Sequence, residues 1–342
     1  MKPGLLVVLA CIIAICLVAP AFGQTGGYHV VDSLVLGGDT GCDYLIVDTT
    51  AHRVYVSRGT HVQVVDIDKL AVVGDIAPTP GVHGIALAQS FGRGYISNGR
   101  DSSVTVFDLK TLQVISTIHI DARNPDAIMY DPISHRVFTF NGGSGTSTAI
   151  DAATNAVVGT VPLDGKPEFA VEDGGRIFAN IEDKSEIVAF NASTLKVIYH
   201  NSIAPGEEPS GLAIDRAHHE LFSVCGNKMM MVLDEITGKV LAHVPIGGGV
   251  DAAAFDPRTG LAFSSNGEGN LTVVKTDGGT SYSVLETVPT RRGARTVALD
   301  ETTHRLYTVT AKFGPPPAST AERPRPRPTI VPGSVALYVI GR

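Results

Sequence analysis

The sequence predicts an all-β chain, a seven-bladed β-propeller of four-stranded blades whose last blade is closed by the N-terminal strand. Three observations carry that reading. Seven aromatic residues, Tyr55, Tyr95, Phe138, Phe178, Phe222, Phe263 and Tyr307, recur at spacings of 40, 43, 40, 44, 41 and 44 residues. A period in the low forties is the length a four-stranded blade needs. Most of these aromatics end a phrase opened by an Asp-led turn, as in Asp48–Tyr55, Asp131–Phe138, Asp215–Phe222, Asp256–Phe263 and Asp300–Tyr307, while the copies ending in Tyr95 and Phe178 are degenerate. The last copy lacks a fourth strand, and a matching strand stands alone near the start of the chain.

Each copy continues in the same order. A third strand ends in an Asp or Asn turn (Val62–Asp66, Val104–Asp108, Thr148–Asp151, Ile187–Asn191, Met230–Asp234), and a fourth follows (Ala71–Ile76, Gln113–Ile120, Ala156–Leu163, Lys196–Ile203, Lys239–Ile246, Ser283–Thr290). Period-2 alternation and β-branched residues make these strands. The Asp, Asn and Gly residues between them suit tight turns, through local hydrogen bonds or positive φ. In the seventh copy the third strand, Ser334–Ile340, has no successor, and His29–Leu36 is expected to supply it, leaving no open edge between blades.

Composition agrees. The 342 residues include 37 Gly and 20 Pro, no Trp and only 18% charged residues, as expected of many short connections between strands. The formal net charge of -7, with no basic-aromatic patches, argues against a nucleic-acid partner. Residues 1–23 read as a signal peptide: Lys2 gives the positive start, Leu5–Val18 is an apolar run, and Ala21-Phe22-Gly23 is a small-residue cleavage site. The alternative is an uncleaved membrane anchor. Residues 24–342 are then a single exported propeller, periplasmic or extracellular, monomeric and not inserted in a membrane after cleavage. Cys42 and Cys225 would remain. The repeat puts them on blades one and five, too far apart for a disulfide.

Tyr95-Ile-Ser-Asn98, Phe138-Thr-Phe-Asn141 and Val104–Ile115 resemble the signature of the YVTN-repeat, YncE-like family of seven-bladed propellers. The resemblance covers essentially all of the mature chain. It implies the fold and an exported or cell-surface location, and it implies function poorly, because the matching residues are strand and turn residues. Some relatives are linked to binding, adhesion or redox partners.

The sequence has no Gly-x-Ser-x-Gly elbow, no Cys-x-x-Cys-His site and no phosphate loop. His219-Glu220 begins like a zincin helix, but Ser223 stands where the second histidine is needed. His52, His135, His218, His219 and His304 fall in or near the first inter-strand turn and read as solvated turn residues. One constellation stands out. The residue five before the turn Asp opens the innermost strand and should face the channel mouth. In the seven copies it is Asp43, His83, Asp126, Glu168, Ser210, Asp251 and Arg295. Oxygen-rich clusters with a histidine suit a divalent cation, so Asp43, Asp126, Glu168 and Asp251 are the expected metal ligands. His83, Ser210 and Arg295 are expected to contact a ligand, with Asn98, Arg100, Asn141 and Asn266 from the adjoining loops. The alternative is a hydrated rim whose charges stand too far apart to cooperate. The Pro-rich loop at 313–332, with Arg323, Arg325 and Arg327, lies on the same face and reads as either a partner-binding comb or a surface loop. These features favour a non-catalytic propeller binding a protein, glycan or small ligand at the mouth. The alternative is a lactonase-type hydrolase with a divalent cation there.

Overall fold

In the computed structural model, which describes residues 26–279, 281–318 and 328–342, the strands form seven separate antiparallel sheets of four. Within blades one to six the strands are consecutive in the chain, from the innermost at the channel to the outermost at the rim. Blade seven is assembled from both ends. Its inner three strands are Val297–Asp300, Arg305–Thr310 and Ala336–Gly341, and its outer strand is His29–Val35. Val30 stands opposite Ile340 and Val35 opposite Ala336. Tyr28 and Leu36, which flank this strand, are both buried, and Tyr28 packs edge-on against Phe263 of blade six with ring centroids 5.4 Å apart. The closure expected from the orphan strand is therefore the one observed. Residues 1–23 lie outside the described residues, as do Arg323, Arg325 and Arg327.

The seven periodic aromatics lie on the second strand of each blade, none more than 1% exposed. They fill the space between neighbouring blades, as in Tyr55 against Phe107 (5.7 Å) and Phe138 against Phe190 (5.6 Å). Large aromatic burial between sheets is a dominant stabilising term. Arginines at the start of the second strand add a polar link: Arg53 donates to Leu109 O (2.9 Å), Arg93 to Ala152 O (2.9 Å) and Arg136 to Ala192 O (2.7 Å), each on the following blade.

The turn chemistry follows the sequence reading. Asp48 Oδ1 accepts from the backbone N–H groups of Thr50 (3.0 Å) and Ala51 (2.9 Å), which closes the hairpin between the first two strands. His52, His135, His219 and His304 occupy left-handed positions in the equivalent turns, with φ between 52° and 57°. Cys42 and Cys225 are both free, and burial pushes each thiol up to about 12. The loop at 313–332 is anchored at its base. Phe313 and Ile330 form an antiparallel bridge, and Ile330 packs against the cluster containing Leu36, Leu45 and Val335.

Candidate functional site

The innermost strands run from the mouth to the hairpin turns, and most carry a break in register at the mouth end. In blades two to five the pairing of the first two strands shifts between Val82 and Ile85, Pro125 and Ile128, Pro167 and Ala170, and Pro209 and Leu212. In blade six it shifts between Val250 and Ala252. Such irregularities free backbone groups and re-aim the side chain they contain. Here that side chain is His83, Asp126, Glu168, Ser210 or Asp251. Residues on the second strand hold the loosened backbone. Ser57 Oγ accepts from Asp43 N (3.1 Å) and Tyr44 N (2.9 Å), Ser97 Oγ accepts from Gly84 N (2.9 Å) and donates to Asp126 O, and Asn180 Nδ2 donates to Ser210 O (2.9 Å).

These devices bring six of the seven expected mouth residues into a network of charges. His83 Nδ1 lies 2.5 Å from Asp43 Oδ2 and 3.6 Å from Asp126 Oδ1. Arg295 reaches Asp43 (3.0 Å) through Nη2 and Asp251 (3.2 Å) through Nε. Glu168 pairs at 2.5 Å with Lys166, which also bonds Glu182. The seventh residue, Ser210, stays outside this network, its Oγ donating to Val250 O (3.4 Å).

Burial and like charge set the electrostatics. Burial raises Asp126 to about 6 and Asp251 to about 7, and the neighbouring carboxylates add to the effect. Burial likewise raises Glu168 to about 7 against the pull of Lys166. Asp43 differs. Burial pushes it up, but the hydrogen bonds and charges of His83 and Arg295 outweigh burial and hold it below the usual range. His83 is raised, because the bond to Asp43 and the charge of Asp126 overcome its desolvation. Three carboxyls that change charge near neutral pH therefore share one rim.

Three of the four carboxylates expected to bind metal, Asp43, Glu168 and Asp251, are each engaged by a Lys or Arg side chain. The tightest grouping of donors at the mouth is Asp43, His83 and Asp126, whose ligand atoms lie within 4.8 Å of one another. A second such group, Asp173, His219 and Glu235, sits at the opposite face, where Arg176 already pairs with Glu235. Asn98, Asn141 and Asn266, expected to face a ligand, are fully buried and used inside their blades. Asn98 Nδ2 donates to Ser103 Oγ (3.0 Å) and Thr105 Oγ1 (2.9 Å), Asn141 Nδ2 to Thr146 Oγ1 (3.1 Å) and Thr148 Oγ1 (3.0 Å), and Asn266 Nδ2 to Thr272 Oγ1 (2.9 Å). Each amide at the end of a second strand braces the third, so it is spent on the fold. Arg100 is exposed.

Sequence reasoning missed Lys166, Tyr44 and Phe169. Tyr44 follows Asp43 and Phe169 follows Glu168, at a position filled in the other blades by Gly84, Ala127, Gly211, Ala252 and Thr296. Small residues there let inner strands approach: a Cβ on Gly211 would lie 2.5 Å from Ala252 Cα. The two aromatic exceptions were the available signal. The Tyr44 hydroxyl acts on Asp126 of blade three, lowering its pKa, and the Tyr44 ring stacks on Phe169, so blades one, three and four meet across the axis. Beneath this plug lies a cavity of about 500 Å³.

The fold and site define a seven-bladed β-propeller with an ionisable channel mouth. No known family's sequence profile matches the chain, and no curated protein matches it. Solved structures do. The chain is similar to a chain of Kuenenia stuttgartiensis hydrazine synthase, at 16% identity and TM-score 0.72, over 79% of this chain and 92% of that one. It is similar to a chain of the mitotic checkpoint complex, at 14% identity and TM-score 0.74, over 100% and 99%. It is also similar to the RRP9 WD40 repeats, at 10% identity and TM-score 0.75, over 92% and 98%. At these identities the likeness is one of fold.

Proposed function

We propose that this chain is an exported, non-catalytic propeller of the YVTN-repeat, YncE-like kind, which binds a protein, glycan or small ligand at its charged mouth. The observation that carries this is the network of Asp43, His83, Asp126, Glu168, Asp251 and Arg295, gathered from six blades onto one rim with three carboxyls raised toward neutrality. Burying carboxyls costs stability, and a cationic group docked among them offsets that cost. Export is supported by the charged start, apolar run and small-residue site of residues 1–23. The protein-binding reading is supported by the neighbour solved within the mitotic checkpoint complex.

A second reading, a lactonase-type hydrolase, is favoured by one observation, the Asp43–His83–Asp126 grouping. Its donors suit Ca²⁺, Mn²⁺ or Zn²⁺, which would act there as a Lewis acid. Metal analysis and calorimetric titration with these three ions, on wild type and Asp126→Asn/Glu168→Gln, separate the readings. A stoichiometric metal lost in the double variant supports the hydrolase. A metal-free protein, with an affinity for cationic peptides or amino sugars that the double variant loses, supports the binding propeller. Identical behaviour of the two proteins toward every probe overturns the mouth as a site.

A further inference from the structure

The central channel is divided in two. Above the Tyr44–Phe169 plug it is lined by ionisable side chains, and below the plug aliphatic side chains line it until polar ones take over at the hairpin end. The cavity of about 500 Å³ begins under the two rings and runs along the innermost strands. It ends among the hairpin turns, where Thr49, Thr50 and Gln89 are exposed. Its wall includes Ile46, Met129 and Val171, with Ala254 and Ala298 keeping it wide. All five of these side chains are partly exposed to the cavity although they lie in the interior of the domain. The residue two before each turn is alanine in four blades (Ala86, Ala213, Ala254, Ala298), and three of these, Ala86, Ala254 and Ala298, line the cavity and keep it wide. The strands cover the depth in four residues, about 13 Å at about 3.3 Å per residue.

We infer that this cavity is a binding site for a single medium-length aliphatic chain, entering from the hairpin face with its polar end left at the rim. Four features select that occupant. The wall just below the plug carries the aliphatic side chains of Ile46, Met129, Val171, Ala254 and Ala298, which suit methylene groups, while the polar side chains of the lining, such as Gln89 and Arg216, stand at the hairpin end. The plug makes it a blind pocket, which sets an upper chain length. The volume equals about 17 waters at about 30 Å³ each, room for a chain on the order of ten methylene-sized groups. Arg216 stands at the rim, half-exposed, bonded to Glu172 (2.7 Å), and can meet an anionic or hydroxyl head without entering the apolar part. This site is separate from the charged mouth and does not depend on what the mouth binds.

The test is calorimetric titration of the purified protein with butyrate, hexanoate, octanoate and decanoate, with octanol as the uncharged control. Affinity should rise about four-fold per added methylene up to the cavity length. Octanol should bind as well, because the chain and not the head carries the affinity. Ala254→Phe, which fills the cavity, and the milder Ala298→Leu should each weaken decanoate at least ten-fold with the melting transition retained. Lys166→Gln, at the mouth, should leave it unchanged. Decanoate should also shift the NMR signal of the Met129 methyl group. Absence of binding at millimolar decanoate, equal affinities along the series, or a folded Ala298→Leu variant that binds like wild type while Met129 is unmoved would each overturn the proposal.

Discussion

Tyr44 on blade one and Phe169 on blade four stack with ring centroids 5.7 Å apart and planes 23° from parallel. Sequence separates them by more than two repeats, and the closed ring puts them face to face. The hydroxyl of Tyr44 reaches Asp126, so one residue joins the apolar floor to the ionisable rim. The hydroxyl favours the charged form of Asp126 and holds it lower than burial alone would.

Tyr44→Phe keeps the stack and removes the hydroxyl. The Asp126 carboxyl should then titrate above its present value of about 6, because the polar hydroxyl that favours its charged form is lost. NMR titration of the side-chain carboxyl carbon reads this directly, and an unchanged or lowered midpoint would contradict the geometry.

Asp251 should make the protein less stable as pH rises. Its pKa is raised by burial from the ordinary 3.8 to about 7, so the folded chain keeps the proton longer than the unfolded chain does. The fold carries no penalty from this group below pH 4, and stability falls as pH rises from there toward 7. Asp251→Asn should flatten that decline and leave the variant more stable at pH 8 by on the order of 1 kcal/mol, Arg295 retaining Asp43 as partner. Urea denaturation across pH 4 to 8 checks the slope.

Asn141→Ala should cost about 1–3 kcal/mol, since it leaves the buried hydroxyl of Thr148 and the half-buried one of Thr146 without their donor. Ligand affinity at the mouth should not change in the folded variant. A loss of affinity without a loss of stability would return this residue to the ligand-contacting set.

Removing residues 26–36 should lower Tm by about 10 °C or more. The deletion uncovers the edge of Ala336–Gly341 and removes buried Tyr28 and Leu36. A truncated protein that melts like the intact one, followed by circular dichroism, would show that the ring does not need this strand.

The Pro-rich loop should tolerate shortening between its anchors and not at them. Replacing residues 316–327 with a short Gly-containing turn should change stability little, because loop closure depends weakly on length. Ile330→Ser should cost about 1–3 kcal/mol through lost apolar contact with the Leu36 and Leu45 cluster. Parallel thermal melts of the two variants separate loop from anchor.

The repeat, the blade count and the shared last blade were legible because they rest on local patterns: a period set by aromatics such as Tyr55 and Phe138, turns set by residues such as Asp48, and an orphan strand at His29. The convergence of Asp43, His83, Asp126, Glu168, Asp251 and Arg295 was legible for the same reason, since a fixed register sends equivalent positions to one rim. Pairing at that rim was not. Which carboxylate meets Lys166, which meets Arg295, and which stays with His83 depends on side chains from neighbouring blades, and no repeat register encodes such contacts. Asn98, Asn141 and Asn266 were placed on the right strand ends and turned the wrong way, because their direction is decided by hydroxyls on the third strand. The plug was signalled only by Tyr44 and Phe169 at an otherwise small position, and its stacking and the cavity beneath it were decided by the tertiary structure. They exist because two large side chains, set more than two repeats apart in the chain, point at the same axis once the ring has closed.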